Sequence, residues 1–224
     1  MQTRSSPDST KKGKRYYPLY IDLEGKKVSV VGGGEVSERK VLTLLRCGAD
    51  VTVISPTLTE RLSNLSKNGK IHHLKKVYEE GDLEGSFLVI SAVGNKGINR
   101  KVSREVESSS SLFNAVDDPE LSNFIVPSLI NRGRLLIAIS TSGVSPALSK
   151  KIRKELEKRY GREYTLFLNM LKGIRKRLLR DIPAERKRKK IFQHLANSDL
   201  IDIIKKRGVK AARMRLEKII RENL

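Results

Sequence analysis

Three stretches of this chain hold residues with chemistry to offer. The first is Gly32-Gly33-Gly34-Glu35-Val36-Ser37, between an apolar run, Val28 to Val31, and a stretch with Val41, Leu44 and Leu45 at helical spacing. A glycine turn between a strand and a helix suits a dinucleotide: Gly32 permits the tight turn, and Gly34 lets backbone approach a pyrophosphate seated at the helix N-terminus. Ser37 stands at the third glycine position, where a small residue can still pack against the strand. A glycine-rich turn without a ligand is the alternative, and the flanking strand and helix favour the dinucleotide. The second stretch is Asn114-Ala115-Val116-Asp117-Asp118, with carboxylates just beyond an apolar run. In an open α/β sheet that is the edge where ligands bind, so a proton-accepting role and a simple turn before Pro119 both fit Asp117. The third is the basic C-terminal part. Residues 150–224 carry 25 Lys+Arg against 9 Asp+Glu, a net of +16, whereas residues 1–149 carry a net of +5.

Other residues carry a weaker signal or none. The second strand ends in Ser55-Pro56-Thr57 rather than in the Asp or Glu that holds a ribose 2′-hydroxyl, and Asp50 lies at its opposite end. Arg61 hints at a phosphate, so NAD and NADP both remain open from the residues alone. His72 and His73 sit in a strand and point to opposite faces, which argues against a shared metal site. His194 has no ligand-type neighbour, and no HExxH, CxxC or carboxylate cluster supplies a preformed metal site. Cys47 is the one cysteine, which excludes a disulfide framework and Cys-rich clusters; it reads as a small buried hydrophobe.

The elements that must position these residues alternate. Apolar runs at Val28–Val31, Val51–Ile54, Ile71–Leu74, Phe87–Ala92 and Leu112–Val116 read as strands, with helices from Glu35 to Cys47, Leu58 to Ser66 and Ile98 to Glu107. Gly48 suits the C′ position of the first helix. This β–α rhythm predicts an α/β fold with a Rossmann-like, mostly parallel sheet. After Asp117 two apolar runs, Phe124–Ile130 and Leu135–Ser140, flank Asn131-Arg132-Gly133 and predict a hairpin. Beyond Pro146 the pattern is helical, punctuated by Pro183 and Gly208, and Leu166, Leu168, Met170 and Leu171 read as its core. The expected organisation is a disordered basic arm over 1–15, a nucleotide-binding domain over 16–117, a β segment over 118–145 and a basic helical domain over 146–224. No run of 18 apolar residues argues for a membrane span, and the N-terminus lacks the apolar stretch of a secretory leader. These features lead to the expectation of a soluble, cytoplasmic protein.

With VSVVGGGEVSERKV, NAVDDPELSNFIVPSLINRGRLLIAIST and SGVSPALSKKIRKELE in order, the chain resembles the precorrin-2 dehydrogenase family over roughly residues 16–222. This is the unit that forms the N-terminal module of siroheme synthases. The resemblance implies NAD-dependent oxidation of precorrin-2 to sirohydrochlorin, with Fe²⁺ insertion as a further activity of some members. It implies Asp117 as the catalytic carboxylate. It implies cofactor contacts at Gly32, Gly34, Glu35, Val36, Pro56 and Thr57 and along Ala92, Val93, Gly94 and Asn95. Substrate contacts are expected at Asn114 and at Ser142 and Gly143 in the loop after the hairpin. Lys150 and Arg153, beside Lys151 and Lys154, are the nearest cations for a polycarboxylate substrate. The family forms an interlocked homodimer, largely through the region corresponding to Phe124–Ser140. Thr141 stands where some members carry a phosphorylated serine, so the resemblance leaves that modification open here. The rival reading is a redox-sensing nucleic-acid binder, supported by the basic run at Arg186 to Lys190. It is weakened by the lack of a helix-turn-helix signature and of aromatics for stacking.

Overall fold

The computed structural model describes residues 14–223. The chain divides between Val126 and Pro127 into two units. The first contains β1 (Lys27–Val31), α1 (Glu35–Arg46), β2 (Asp50–Ile54), α2 (Glu60–Lys67), β3 (His72–Leu74), β4 (Leu88–Ser91), α3 (Lys96–Ser109) and β5 (Leu112–Ala115). Its five strands form one sheet in the order β3-β2-β1-β4-β5, every neighbouring pair parallel. The order reverses between β1 and β4, which makes their carboxyl ends the switch point of a doubly wound fold.

Alternation along the strands builds a core on both faces. Val28 and Val30 of β1 join Val51 and Val53 of β2, Leu88 and Ile90 of β4, Val41 and Leu44 of α1 and Leu62 of α2. On the opposite face Val31, Ile54, Val89 and Phe113 pack with Val102 and Val106 of α3. A sheet covered on both sides needs apolar residues at consecutive positions, which is why these strands read as continuous runs. The crossover from β3 to β4 is a series of turns, and Tyr78 and Leu83 from it enter the second cluster. Glu105 of α3 anchors this crossover by accepting hydrogen bonds from the Tyr78 hydroxyl and, at 3.1 Å, from the Leu83 amide. Burial, together with the Glu105 carboxylate, holds the Tyr78 phenol far above its ordinary range.

The second unit begins with β6 (Ser128–Arg132) and β7 (Leu135–Ile139), an antiparallel hairpin, followed by α4 (Pro146–Arg159), α5 (Arg162–Asp181), α6 (Glu185–Ala196) and α7 (Leu200–Glu222). Gly133 adopts φ +66° at the hairpin turn, and its amide donates to the Asn131 side chain at 3.0 Å. The helices bury Phe167, Leu178, Ile191, Leu195, Leu200, Ala212 and Leu216 together, with Leu166, Met170 and Leu171 half-buried against them. Leu168 is half-buried as well. Gly208 has φ 80° and ψ 176°, so α7 is two helical pieces joined at a kink. Among the described residues no helix is long and apolar enough to cross a membrane.

Two expectations are corrected. The hairpin starts at Ser128 rather than Phe124, because the preceding residues are clipped to β5. The Asn123 amide donates to the Phe113 carbonyl at 3.0 Å, and Asn114 donates to the Phe124 carbonyl at 3.1 Å. Cys47 is exposed, not buried. It is the C-cap of α1, past the buried stripe of Ser37, Val41 and Leu44, and Ala49 takes up the core position instead. The N-terminal arm of 1–15 lies outside the described residues as far as residue 13. From Lys14 the chain is anchored, its ammonium donating to the carbonyls of Pro119, Glu120 and Ser122 at 3.2, 2.8 and 2.9 Å.

Candidate functional site

Parallel pairing brings the carboxyl ends of four strands to one edge: Val31 pairs with Ile54 and Ser91, and Ser91 with Ala115. The loops that leave this edge, with the first residues of α1, carry the cofactor candidates of the first unit and Asp117, while Asn114 lies in β5 itself.

After β1, Gly32 is buried with φ +114°, and a Cβ there would come within 2.9 Å of the Ala92 carbonyl and 3.0 Å of the Ser37 hydroxyl. Gly33 has a role that the sequence reading overlooked. A Cβ on it would meet the Thr57 carbonyl at 2.0 Å, and its own carbonyl accepts the Thr59 amide at 2.9 Å, so the β2–α2 loop closes directly on the turn. The signal was the middle glycine of the triplet, to which no role had been given. Gly34 is open to space and is the N-cap of α1, with no side chain to satisfy the first-turn amides. Glu35 is exposed and Val36 half-buried beside it. Ser37 is fully buried, and its hydroxyl lacks a protein partner. An uncapped helix start, open space at Gly34 and an unmatched buried hydroxyl beside the turn are a donor set that fits a dinucleotide's phosphates.

The loops after β2 and β4 are held by their own side chains. The Ser55 hydroxyl donates to the Thr57 carbonyl at 2.7 Å, and the Ser55 carbonyl lies 2.9 Å from His73 Nε2. Pro56 and Thr57 are exposed. Following β4, the Asn95 side-chain oxygen caps α3 by accepting the Gly97 and Ile98 amides at 2.8 and 3.1 Å. Asn99, buried, contacts the Ser91 hydroxyl at 2.6 Å and the Val93 carbonyl at 3.4 Å, which fixes the run Ala92 to Gly94.

Asp117 is exposed on the turn after β5. Its neighbour Asp118 bridges back to Ala115. The turn is built by residues without any site signature in the sequence. Ser122 is buried; its hydroxyl accepts the Ala115 amide and donates toward the Asp118 carbonyl, both at 3.0 Å. The Asn123 side chain accepts the Phe113 amide at 2.7 Å and donates to the Ser111 carbonyl at 2.9 Å. The Asn114 amide is engaged with Phe124. Neighbouring strands lie about 4.8 Å apart, so the β5 end stands two strands, about 10 Å, from the glycine turn.

In the second unit, Thr141 accepts the Ser145 amide and donates to the Ser145 carbonyl, both at 3.0 Å, folding the loop before α4. Ser142 (φ 53°) and Gly143 (φ 86°) are exposed at its tip. Lys150, Lys151, Lys154 and Lys158, with one carboxylate, Glu155, line an open cleft of about 420 Å³ on α4. Arg153 is instead tied to Glu157 at 2.5 Å, one turn along the helix. The two units carry these groups separately. His72 is exposed, 3.4 Å from Asp50, while His73 turns to Ser55. Among the described residues no group of three or more His, Cys, Asp and Glu could hold a metal ion.

Residues 19–128 match the family described as NAD(P)-binding, and residues 132–159 match the family described as sirohaem biosynthesis protein central. A siroheme synthase of Methylobacillus flagellatus is 43% identical over 140 residues, covering 62% of this chain and 30% of the relative. Siroheme synthase 1 of Aeromonas salmonicida is 34% identical over 197 residues, 88% of this chain and 42% of the relative. The chain thus spans less than half the length of these relatives. The solved structure of SirC, a precorrin-2 dehydrogenase, superimposes with a TM-score of 0.77 at 26% identity, covering 91% of this chain and all of that one. The first unit accordingly binds a nicotinamide dinucleotide.

Proposed function

We propose that this chain is a member of the precorrin-2 dehydrogenase family and oxidises precorrin-2 to sirohydrochlorin with NAD⁺ as the oxidant, a reading supported by the family matches and by the likeness to SirC. The observation that carries this most is the shared sheet edge: a glycine turn suited to a dinucleotide and an exposed Asp117 lie two strands apart. Bound NAD⁺ supplies the hydride acceptor. Gly32 and the uncapped start of α1 cradle the phosphates, Glu35 and Val36 border them, and the loops Pro56–Thr57 and Ala92–Asn95 flank the nucleotide. Asp117 accepts the proton that leaves the macrocycle with the hydride, so each two-electron oxidation releases one proton through this carboxylate to solvent. Ser122, Asn123 and Asn114 hold the turn that presents it.

Precorrin-2 is a polycarboxylate, and the lysines of α4, Lys150 first among them, are the cations we assign to it. Arg153 can join them only by exchanging its Glu157 partner for a substrate carboxylate, and Ser142 and Gly143 offer an exposed, positive-φ loop tip. NAD is favoured over NADP by the cleft between α1 and α2, where Glu35, Glu38 and Glu60 outnumber Arg39 and Arg61. The active form is a homodimer. Its support is the hairpin face on which Leu129, Leu136 and Ala138 are exposed, since a two-stranded sheet with an apolar open face is marginal alone.

The test is an anaerobic time course with precorrin-2 and either NAD⁺ or NADP⁺, following reduced nucleotide and sirohydrochlorin together by absorbance. Equal production of both with NAD⁺ is expected; absence of sirohydrochlorin with either nucleotide contradicts the assignment.

A further inference from the structure

A cleft of about 440 Å³ opens between the starts of α1 and α2, lined by Glu35, Glu38, Arg39, Thr59, Glu60 and Arg61. It adjoins the glycine turn, because the Thr59 amide donates to the Gly33 carbonyl at 2.9 Å. The adenosine half of a dinucleotide whose pyrophosphate rests on α1 passes between these first two βα loops. In such domains a carboxylate at the end of the second strand takes the ribose hydroxyls. Here an uncharged residue, Ser55, follows that strand, and its hydroxyl proton is already given to the Thr57 carbonyl.

We infer that Glu38, on α1, reads the ribose 2′ position in place of the missing strand-end carboxylate and holds Arg61 back from binding a 2′-phosphate. The inference rests on the nicotinamide-binding reading and is independent of which tetrapyrrole is oxidised. Glu38 is prepared for the task. Its side chain is 21% exposed, and Oε2 accepts a hydrogen bond from the Thr59 hydroxyl at 2.7 Å, which fixes the carboxylate at the mouth of the cleft. Oε1 lies 3.8 Å from Arg61 Nη1, beyond hydrogen-bond reach, and keeps acceptor capacity for a ribose hydroxyl. A 2′-phosphate would instead bring its charge against Glu38, with Glu35 and Glu60 close by. Arg61 is 62% exposed and drawn toward Glu38. Without the Glu38 charge, Arg61 and Arg39 are the guanidinium donors that a phosphate takes up.

The experiment titrates the full-length chain with NADH and with NADPH by nicotinamide fluorescence, with no tetrapyrrole present. Wild-type protein is expected to bind NADH more tightly. Glu38→Gln keeps an acceptor for Thr59; it is expected to weaken NADH and strengthen NADPH, shifting the ratio of the two Kd values by about tenfold or more. Adding Arg61→Ala to that variant should remove the NADPH gain and leave the NADH loss. Should Glu38→Gln fail to fold by circular dichroism, Arg61→Ala alone decides: NADPH affinity unchanged within about twofold supports the inference, because Glu38 already keeps Arg61 from a phosphate, and lower NADPH affinity overturns it. An unchanged Kd ratio in folded Glu38→Gln, or wild-type preference for NADPH, also overturns it. Wild-type protein that binds neither nucleotide overturns the nicotinamide reading itself, an outcome separate from a changed preference.

Discussion

The hydroxyl of Ser122 accepts the amide of Ala115, the last residue of β5, at 3.0 Å, and thereby closes the turn that carries Asp117. Seven residues separate the two, and the same hydroxyl reaches the Asp118 carbonyl. The carboxylate assigned the proton is thus exposed, while the device that orients its turn is buried.

Replacing Ser122 by Ala leaves the buried Ala115 amide without its acceptor, a loss of about 1–3 kcal/mol. Turnover is expected to fall by about tenfold or more while NADH affinity stays within about twofold, because the glycine turn lies two strands away. Nucleotide titration beside steady-state kinetics separates the two effects. Loss of both in equal measure would show that Ser122 supports the whole sheet edge instead of the Asp117 turn.

Much of the first unit was legible because its strands are buried on both faces. Val28 to Val31 and Leu88 to Ser91 read as apolar runs, and Gly32 to Gly34 punctuates the switch point. What escaped the sequence was tertiary pairing by short polar side chains. Nothing in the string around Ser122 and Asn123 says that they return to Ala115 and Phe113. The late start of β6 follows from the same clip, since backbone joined to β5 at Asn123 cannot pair with β7. Lys14 shows the limit of composition: a basic, polar arm looks free, yet one of its ammonium groups meets three carbonyls of the Asp117 loop. Gly33 was hidden in plain view, since its need arises from the Thr57 carbonyl, 24 residues on.

The hairpin face gives a second test. Leu129 and Leu136 are 40% and 43% exposed, whereas Ile130 on the opposite face is fully buried. Leu136→Lys should therefore weaken self-association with little cost to the fold. Analytical ultracentrifugation is expected to show the wild-type chain at twice the mass of the variant at micromolar concentration. A wild-type monomer would remove the hairpin from any role in assembly.

A pH prediction follows from the bidentate Arg177–Glu217 pair that joins α5 to α7, with both contacts at 2.9 Å. The Arg177 guanidinium holds the Glu217 carboxyl below its ordinary value of 4.5. A depressed carboxyl contributes stability above its unfolded value and loses it as pH falls through the lower folded value. Both side chains are more than a third exposed, so solvent screening limits the contribution to about 1 kcal/mol or less. Urea unfolding should show this increment at pH 6 and its decline below about pH 4.5, with Glu217→Gln lacking that component of the acid loss. Identical acid profiles for the two proteins would assign the pair no net stability.

The central claim is that Asp117 takes the proton as precorrin-2 gives up a hydride to nicotinamide. The most direct measurement is an anaerobic single-turnover reaction of wild-type and Asp117→Asn protein with precorrin-2 and NAD⁺, recording NADH and sirohydrochlorin in the same cell. Wild-type protein is expected to give one equivalent of each. The variant should bind NADH with the same affinity and form sirohydrochlorin slower by about 10²-fold or more. Undiminished turnover by the variant would contradict the account.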